Sequence, residues 1–265
     1  MKTLRLVVLQ DLRLENRIIA IKKHKRVLLK ISGEGFCSES SSVIDIPKYD
    51  LIAEEINNAR DAGVEIAVVV GGGNILRGSA LSQSGVERTR ADQLGMIATS
   101  INAIVLQDSL EKLKIPAKVL SAVEIQGIVE SYTIHKCRNF LENGFVVILA
   151  GGTGSPFFTT DTAAALRAIE IGADVFLKGT KVDGVYTDDP VSNPKARKYE
   201  KLEYMDALSN KLDVMDSTAI SLSMENKLPI VVFSFRKKNN ISKAIIGHKI
   251  GTYVGNHNDV SRNTK

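Results

Sequence analysis

Two lysines, each at the end of a predicted strand, are the residues in this 265-residue chain best placed to handle phosphate. Lys30 lies at the end of the apolar run Val27–Ile31, and Lys178 directly follows the run Ala173–Leu177. A lysine ammonium is a compact charge that can neutralise phosphate oxygens. Because phosphoryl transfer needs positioning and charge neutralisation more than covalent chemistry, the pair predicts a site for a transferred phosphoryl group.

Three glycine-rich turns, each following a predicted strand, are the second candidate feature. They are Ser32-Gly33-Glu34, Gly71-Gly72-Gly73-Asn74 and the longer segment Gly151–Asp161. Three consecutive glycines permit positive φ and expose successive N–H groups, as in an anion-binding nest. The third turn opens a predicted helix that Thr160 or Asp161 would cap, and a helix N-terminus also favours phosphate.

Structural explanations stay open for some of these residues. Lys30 could be a solvated strand end, and Asp161 could serve only as a helix N-cap. Beyond Lys178, the pair Asp183-Gly184 predicts a turn or hairpin, in which Tyr186 either lies on a nucleotide base or packs as an ordinary aromatic. The glycine triplet favours phosphate binding over a plain turn, because consecutive glycines cost backbone entropy.

The elements that must position these residues alternate along the chain. Gly63, Gly144 and Gly172 each separate a predicted helix from the strand after it, as in the αβ loops of a parallel sheet. Further strands are predicted at Ala117–Leu120 and Ile230–Phe235, and one precedes each glycine turn, at Val27–Ile31, Val64–Val70 and Phe145–Leu149. Helices are predicted at Pro47–Ala62, Asp92–Leu113, Asp161–Ile171 and Val214–Asn226. The pattern predicts an α/β protein, a three-layer α/β/α sandwich with a mostly parallel sheet, whose strand ends bring the loops together.

Composition narrows the classes of protein. Hydrophobic residues make up 44% of the chain, which predicts a folded core, and no apolar run approaches the ~18 residues of a membrane span. The two cysteines, Cys37 and Cys137, cannot build a disulfide framework and predict a cytoplasmic location. Residues 1–26 carry a net charge of +6, whereas the whole chain carries +5. Residues 27–265 therefore carry only about −1 and are nearly neutral. The basic pI therefore does not indicate a nucleic-acid partner.

The same charge distribution suggests the domain limits. Residues 1–24 are predicted to form a loosely ordered basic extension, residues 25–256 one domain, and residues 257–265 a C-terminal tail. Sequence motifs of several other sites are missing. The chain has no P-loop motif, no G-x-S-x-G elbow and no histidine spacing for zinc, and its glycine triplet fails the dinucleotide-binding pattern.

Taken together, the motifs resemble those of bacterial-type uridylate kinases in the amino acid kinase superfamily. The resemblance covers about Lys25 to Gly255. It is carried by KISGE at 30–34, VVGGGNILRG at 69–78, ADQLGM at 91–96, GTGSPFFTTD at 152–161, LKGTKVDGVYTDDP at 177–190 and LDVMDSTAI at 212–220. The fourth block and the spacing of Arg77 to Asp92 are the parts most particular to the UMP-specific branch.

The resemblance implies the amino acid kinase fold and transfer of the γ-phosphoryl group of ATP to UMP, giving UDP and ADP in pyrimidine nucleotide biosynthesis. Mg²⁺ would arrive with ATP, without protein side-chain ligands, and the protein would assemble as a homohexamer. Lys30 and Lys178 would be catalytic, and Asp161 would orient them. The implied ATP-binding residues are Lys30, Ile31, Ser32, Gly33, Gly73, Arg77, Lys178, Thr180, Tyr186 and Asp189. The implied UMP-binding residues are Gly72, Asp92 (toward the ribose hydroxyls), Thr153, Gly154, Ser155, Pro156, Phe157, Phe158, Thr159 and Thr160.

One segment departs from the family pattern. Many relatives carry glycines about a dozen residues after the K-x-S-G motif, in a segment associated with activation by GTP, whereas this chain has serines within Phe36–Asp45. Serine tolerates positive φ poorly, so the change argues against GTP activation built in the same way. Inhibition by UTP, which shares its base and ribose with UMP, is expected instead.

Two alternative functions remain. The chain could be another amino acid kinase, acting on aspartate, glutamate or acetylglutamate, although a carboxylate acceptor would need neither the 152–160 loop nor Asp92 facing a ribose. It could also be a catalytically silent nucleotide sensor or a molybdate-storage-like binder on the same fold. The intact set of Lys30, Asp161 and Lys178 argues against that second alternative.

Overall fold

The computed structural model describes residues 24–37, 43–76, 78–190, 192–210, 212 and 215–256. The predicted extension up to residue 23 and the predicted tail 257–265 lie outside these residues. So do the serines of the 38–42 segment and Arg77, so the expectations that rest on them stay predictions.

One sheet organises the part of the chain that the structure describes. Its strands are β1 (Arg26–Ile31), β2 (Glu65–Val70), β3 (Ala117–Ser121), β4 (Glu130–Ser131), β5 (Val146–Ala150), β6 (Val175–Thr180), β7 (Lys201–Leu202), β8 (Ile230–Ser234) and β9 (Thr252–Val254). The strand order is β4-β3-β5-β2-β1-β6-β8-β9-β7. Every pair is parallel except β8–β9, so the predicted mostly parallel sheet is confirmed.

Helices connect the strands and cover the sheet. They are α1 (Ile46–Arg60), α2 (Gly78–Gln83), α3 (Arg88–Lys112), α4 (Ile134–Glu142), α5 (Thr160–Ile171), α6 (Tyr204–Ser209), α7 (Ser217–Glu225) and α8 (Asn240–Ile246), with a 3-10 turn at Gly33–Phe36. Gly63, Gly144 and Gly172 have φ of 73°, 79° and 70°, as predicted for glycines that end helices before strands. No helix among the described residues is both long and apolar enough to cross a membrane.

The two faces of the sheet pack against different helices. Leu29 and Ile31 point into a core shared with α1, α3 and α8, whereas Leu28 points into a second core shared with α4 to α7. All six residues of β1 are buried, which explains its nearly continuous apolar sequence. The three-layer sandwich is therefore confirmed. Strand alternation also sets the direction of Lys30, the one polar residue of the run Val27–Ile31. Because Lys30 is two residues from Leu28, it lies on the same face of the sheet and points toward α5.

Some predicted boundaries are wrong. The predicted strand ended at Leu177, but β6 continues to Thr180, so Lys178 lies within the strand and not after its end. The strand also begins two residues later than predicted, at Val175. Helix α3 begins at Arg88, before the predicted start at Asp92. The short strands β4, β7 and β9 were missed, since two or three residues show no periodicity for sequence analysis to detect.

Candidate active site

A cavity of about 350 Å³ opens at the carboxyl ends of β1, β2 and β5. Its wall is formed by Lys30, Ser32, Gly33, Glu34, Gly71, Gly72, Gly73, Leu76, Ala91, Asp92, Gly95, Met96, Thr99, Gly152, Thr153, Ser155, Phe158, Thr159 and Thr160. All three glycine-rich turns therefore meet at one place. This follows from the topology, because parallel neighbouring strands end at the same edge of the sheet.

The two lysines lie side by side, Lys30 in the cavity wall and Lys178 next to it, and they share one carboxylate. Lys30 on β1 and Lys178 on β6 are register partners on neighbouring parallel strands. Lys30 Nζ lies 2.8 Å from Asp161 Oδ1, and Lys178 Nζ lies 2.7 Å from Asp161 Oδ2. The three side chains are nearly buried. Asp161 thus orients two like charges, and these three side chains by themselves carry one positive charge in excess.

The electrostatics of Asp161 follow from this bridge. Burial by itself would raise the pKa of the Asp161 carboxyl. The charges of Lys30 and Lys178, together with their hydrogen bonds, outweigh burial and hold that pKa below its usual value. Asp161 is therefore ionised at neutral pH and acts as an acceptor between the two ammonium groups, with no proton to give to a substrate.

The helix that carries Asp161 begins with a different cap from the one predicted. The hydroxyl of Thr159 accepts hydrogen bonds from the backbone N–H groups of Asp161 (3.1 Å) and Thr162 (3.2 Å), so neither Thr160 nor Asp161 is the N-cap. This correction has a physical reason, since a cap residue must be extended, and Thr159 has φ −85° and ψ 169°. Asp161 is consequently free of capping and available to the lysines.

The glycine triplet serves a different geometric purpose from the one predicted. Gly71, Gly72 and Gly73 are not among the described residues with positive φ, so the positive φ that glycines permit is not used there. Close packing requires Gly71 and Gly72 instead. A Cβ on Gly33 would lie 2.4 Å from the Gly73 nitrogen, and one on Gly71 would lie 2.7 Å from the Gly33 nitrogen. The first two turns therefore pack backbone against backbone.

Gly73 differs from its neighbours, because a Cβ there would meet no atom within 4 Å. Among the described residues, the backbone N–H groups of Gly72 and Gly73 have no hydrogen-bond partner. Both residues line the cavity. The turn therefore leaves two backbone donors available at the cavity wall, which is what binding of an anion there requires.

The third turn needs positive φ at several positions. Gly151, Gly152 and Gly154 have φ of 75°, 58° and 82°. Phe157 also adopts a left-handed conformation, with φ 72°, which is rare for an aromatic residue and marks a constrained loop. The Phe157 N–H donates to Asp92 Oδ2 over 2.8 Å, so a side chain of α3 anchors the tip of this turn.

Asp92 is positioned by its neighbours as well as by its helix. Besides Phe157, the Nε of Arg88 donates to Asp92 Oδ2 at 2.8 Å, one helical turn away. Asp92 lies on the cavity wall with Gly95, Met96 and Thr99 of the same helix. Its carboxylate can therefore accept further hydrogen bonds from a ligand in the cavity.

Several predicted site residues are not in the wall of this cavity: Ile31, Gly154, Pro156, Phe157, Asp161, Lys178, Thr180, Tyr186 and Asp189. Ile31 contributes only its backbone, because its side chain is buried in the core beneath α1. Thr180 ends β6, and its carbonyl accepts from Phe235 N–H. The Tyr186 hydroxyl donates to Asp183 Oδ1 at 2.5 Å and, with Lys237 and Lys198, lowers the pKa of Asp183 to about 2. Tyr186 and Asp189 are not part of the 350 Å³ cavity wall.

Sequence analysis missed residues that support the site from behind. Thr99 donates to the Met96 carbonyl and accepts from Gly151 N–H at 2.8 Å, which links α3 to the third turn. Asp216 accepts from the hydroxyls of Thr159 (2.5 Å) and Thr162 (2.8 Å), which joins the starts of α5 and α7. Within the part described, no group of three His, Cys, Asp or Glu could hold a metal ion.

Comparisons with known proteins agree with this geometry. A model of the amino acid kinase family matches residues 25–242. A uridylate kinase of Legionella pneumophila (strain Paris) is 49% identical over 237 residues, which cover 89% of this chain and 96% of that protein.

Two solved structures are also similar. A UMP kinase from Bacillus anthracis has a TM-score of 0.85 and 34% identity, and covers 88% of this chain and 97% of its own. A UMP kinase from Ureaplasma parvum has a TM-score of 0.83 and 37% identity, and covers 88% and 100%. The site, the fold and these similarities lead to one conclusion: the chain belongs to the amino acid kinase family.

Proposed function

We propose that this chain is a UMP kinase, which transfers the γ-phosphoryl group of ATP to UMP and gives ADP and UDP in pyrimidine nucleotide biosynthesis. One observation carries the proposal: two buried lysines share a single carboxylate at a cavity walled by three glycine-rich turns. A positive excess in a nearly dry site stabilises the charge of a transferring phosphoryl group. The uridylate kinase relatives support the choice of UMP as acceptor.

The two substrates would use opposite parts of the cavity. We assign the donor phosphates to Ser32, Gly33 and Gly73, whose backbones lie against each other beside Lys30. Lys178, Thr180, Tyr186 and Asp189 would hold the rest of the donor nucleotide. UMP would lie against Gly72, Asp92 and the 153–160 loop, with Asp92 accepting from the ribose hydroxyls.

The chemistry follows from the charges. The UMP phosphate is already a nucleophilic oxyanion at neutral pH, so the site needs no general base. Lys30 and Lys178 would contact the transferring group from one side, and Asp161 would hold their ammonium groups in place. Charge-assisted donors of this kind contribute most where water is excluded, as it is around these buried side chains.

Magnesium fits the donor chemistry as a companion of ATP. Mg²⁺ prefers oxygen ligands, keeps several waters and usually needs few protein carboxylates when phosphates are present. Of the cavity-wall carboxylates, Asp92 is paired with Arg88, and Glu34 is paired with Lys181. When bound with ATP, the ion would neutralise part of the charge of the donor phosphates.

We also propose a homohexamer, with UTP as inhibitor and without GTP activation. An exposed apolar stripe on α3 supports self-association. It consists of Leu94, Ile97, Ile101 and Ile104, each 39–45% exposed. Their spacing places them on one helix face, opposite the face that lines the cavity. A cytoplasmic location agrees with two cysteines that are both unpaired.

The first test measures ADP release from MgATP with UMP, dUMP, CMP, aspartate and acetylglutamate as acceptors. Rapid turnover with UMP is the expected result. Turnover with an amino acid would assign the chain to another branch of the family. Nucleotide binding without turnover on any acceptor would favour the sensor.

A further inference from the structure

One side chain in the middle of α3, Asn102, uses its whole hydrogen-bonding capacity without being exposed at all. Its Nδ2 donates to the Gly71 carbonyl at 2.6 Å and to Asn74 Oδ1 at 2.7 Å. Its Oδ1 accepts from the Tyr49 hydroxyl at 2.7 Å and from Asn74 Nδ2 at 3.2 Å. An asparagine can make about four such bonds, and a fully satisfied buried amide has one fixed orientation.

What Asn102 holds is the glycine turn of the cavity. Two of its three partner residues, Gly71 and Asn74, flank Gly72 and Gly73, whose N–H groups have no hydrogen-bond partner in the described part of the chain. The other side of the turn is fixed by Gly71 N–H, which donates to the Ile31 carbonyl at 2.9 Å. The turn is therefore held between β1 and α3, and α3 is bound to it through Asn102.

The geometry points to Asn102 as a positioning residue that fixes the Gly71–Asn74 turn so that the Gly72 and Gly73 amides face the phosphates. Asn102 does not line the cavity and acts through the turn. The kinetic part of this inference rests on the proposed function. Since misplacement of a reacting group by about 1 Å can cost ~100-fold in rate, a loosened turn should slow phosphoryl transfer measurably.

The surroundings explain why the residue is an amide. A leucine of similar size would leave the Gly71 carbonyl and the Tyr49 hydroxyl without partners. Burial raises the pKa of Tyr49 to about 12, so its phenol stays protonated and acts as a donor. The Tyr49 ring also stacks on Phe36, with centroids 4.6 Å apart, which fixes the direction of that donor.

The test compares Asn102→Ala with Ser109→Ala. Ser109 is a buried residue two turns further along the same helix, and its hydroxyl donates to Asp50 at 2.7 Å, away from the turn. Both changes remove buried hydrogen bonds and should lower Tm. Asn102→Ala is expected to lower kcat per folded molecule about 10–100-fold and to raise the KM for both substrates, since the turn carries Gly73 on the ATP side and Gly72 on the UMP side. Ser109→Ala should leave all three constants within about twofold.

Hydrogen–deuterium exchange provides a readout that does not depend on the reaction. The amides of Gly71, Ile75 and Leu76 are hydrogen-bonded in and next to the turn. They should exchange at least about tenfold faster in Asn102→Ala than in Ser109→Ala. Equal exchange in the two variants, with equal kinetic constants, would overturn the inference. If the wild-type chain does not phosphorylate UMP, only the proposed function fails, and exchange still decides the role of Asn102.

A second variant covers the case in which Asn102→Ala does not fold. Asn74 is partly exposed, and Asn74→Ala removes its reciprocal bonds with Asn102 but leaves the bond from Asn102 to Gly71. In Asn74→Ala we expect smaller effects of the same kind: a kcat several-fold lower and exchange of the turn amides several-fold faster than in the wild type. Wild-type values for both in this variant would contradict the positioning role.

Discussion

Strand β1 carries a buried cation near each end, and the two cations differ in how their charge is balanced. At the amino end, Arg26 Nε lies 2.6 Å from Glu65 Oε2, and Arg26 Nη2 lies 3.2 Å from Glu142 Oε1. Its Nη1 donates to the Ile171 carbonyl. One guanidinium therefore has two carboxylates and a carbonyl, which use its planar set of donors.

At the carboxyl end the ratio is reversed. Lys30 and Lys178 share Asp161, so two ammonium groups have one carboxylate between them. A lysine also keeps rotatable donors that can turn toward a new partner. A buried cation held by two carboxylates is fully neutralised and stabilises the fold, whereas two cations that share one carboxylate at a cavity are suited to a ligand of opposite charge. The distinction follows from charge counting, and it separates two clusters on one strand.

The largest expected effect tests the excess charge. Lys30→Met removes the ammonium group but keeps most of the length of the side chain, and it leaves Lys178 paired one-to-one with Asp161, so the fold should persist. We expect kcat to fall about 1000-fold, because a charge that stabilises the transferring phosphoryl group is lost, while the KM for UMP changes little. Steady-state kinetics with MgATP and UMP measure both. Unchanged turnover would remove Lys30 from the catalytic machinery.

Arg26→Met makes the matching change at the amino end of β1, where one cation has two carboxylates. It leaves the nearly buried Glu65 without its guanidinium, so the free energy of unfolding should fall by about 3 kcal/mol. The loss should be at the lower end of the range for broken buried ion pairs, because Glu142 is more than half exposed. Urea unfolding measures the change. A tenfold loss of kcat per folded molecule at unchanged stability would reverse the two roles.

Asp161→Asn removes the acceptor that holds the two lysines. We expect kcat to fall about 100-fold, because the ammonium groups repel each other and lose their orientation. The pH dependence of stability has a defined sign. Since the folded-state pKa of Asp161 is lowered, its contribution to stability is present above the unfolded-state pKa of about 3.9 and is lost as pH falls through the folded-state pKa.

Urea unfolding of the wild type and Asp161→Asn at several pH values checks this sign. The difference in unfolding free energy should stay constant from about pH 5 to pH 8 and should shrink below about pH 4. A difference that grows as the pH falls would mean that the Asp161 pKa is raised and that the carboxyl is protonated in the folded protein.

Much of the fold could be predicted from local patterns. The three-layer sandwich and the αβ glycines Gly63, Gly144 and Gly172 depend on strand runs and helix ends, which the sequence displays directly. Alternation along β1 also puts Lys30 on the face of Leu28. The partner of Lys30 was harder to derive, because Asp161 is 131 residues away and only the topology brings α5 to that edge.

Other features of the site could not be predicted because they depend on packing between distant segments. The glycines at 33 and 71 are required by the close approach of two turns, a contact that no local rule for φ describes. Asn102 and Asp216 look like ordinary polar residues of a helix and a turn. Their functions appear only when their partners Gly71 and Thr159 lie beside them.

Asp92 extends the comparison of the two clusters. It forms a one-to-one ion pair with Arg88, with no excess charge in the pair, and yet it lies in the cavity wall. Asp92→Asn keeps an acceptor for Phe157 N–H but removes the charge that accepts strongly from ribose hydroxyls. We expect the KM for UMP to rise about tenfold and the KM for ATP to stay within about twofold. Arg88→Ala is the matched control, since it breaks the same pair but keeps the carboxylate, and the KM for UMP should change less than about threefold. An effect confined to ATP would assign Asp92 to the donor side, and an equal effect in both variants would mean that the pair itself, and not the carboxylate, holds UMP.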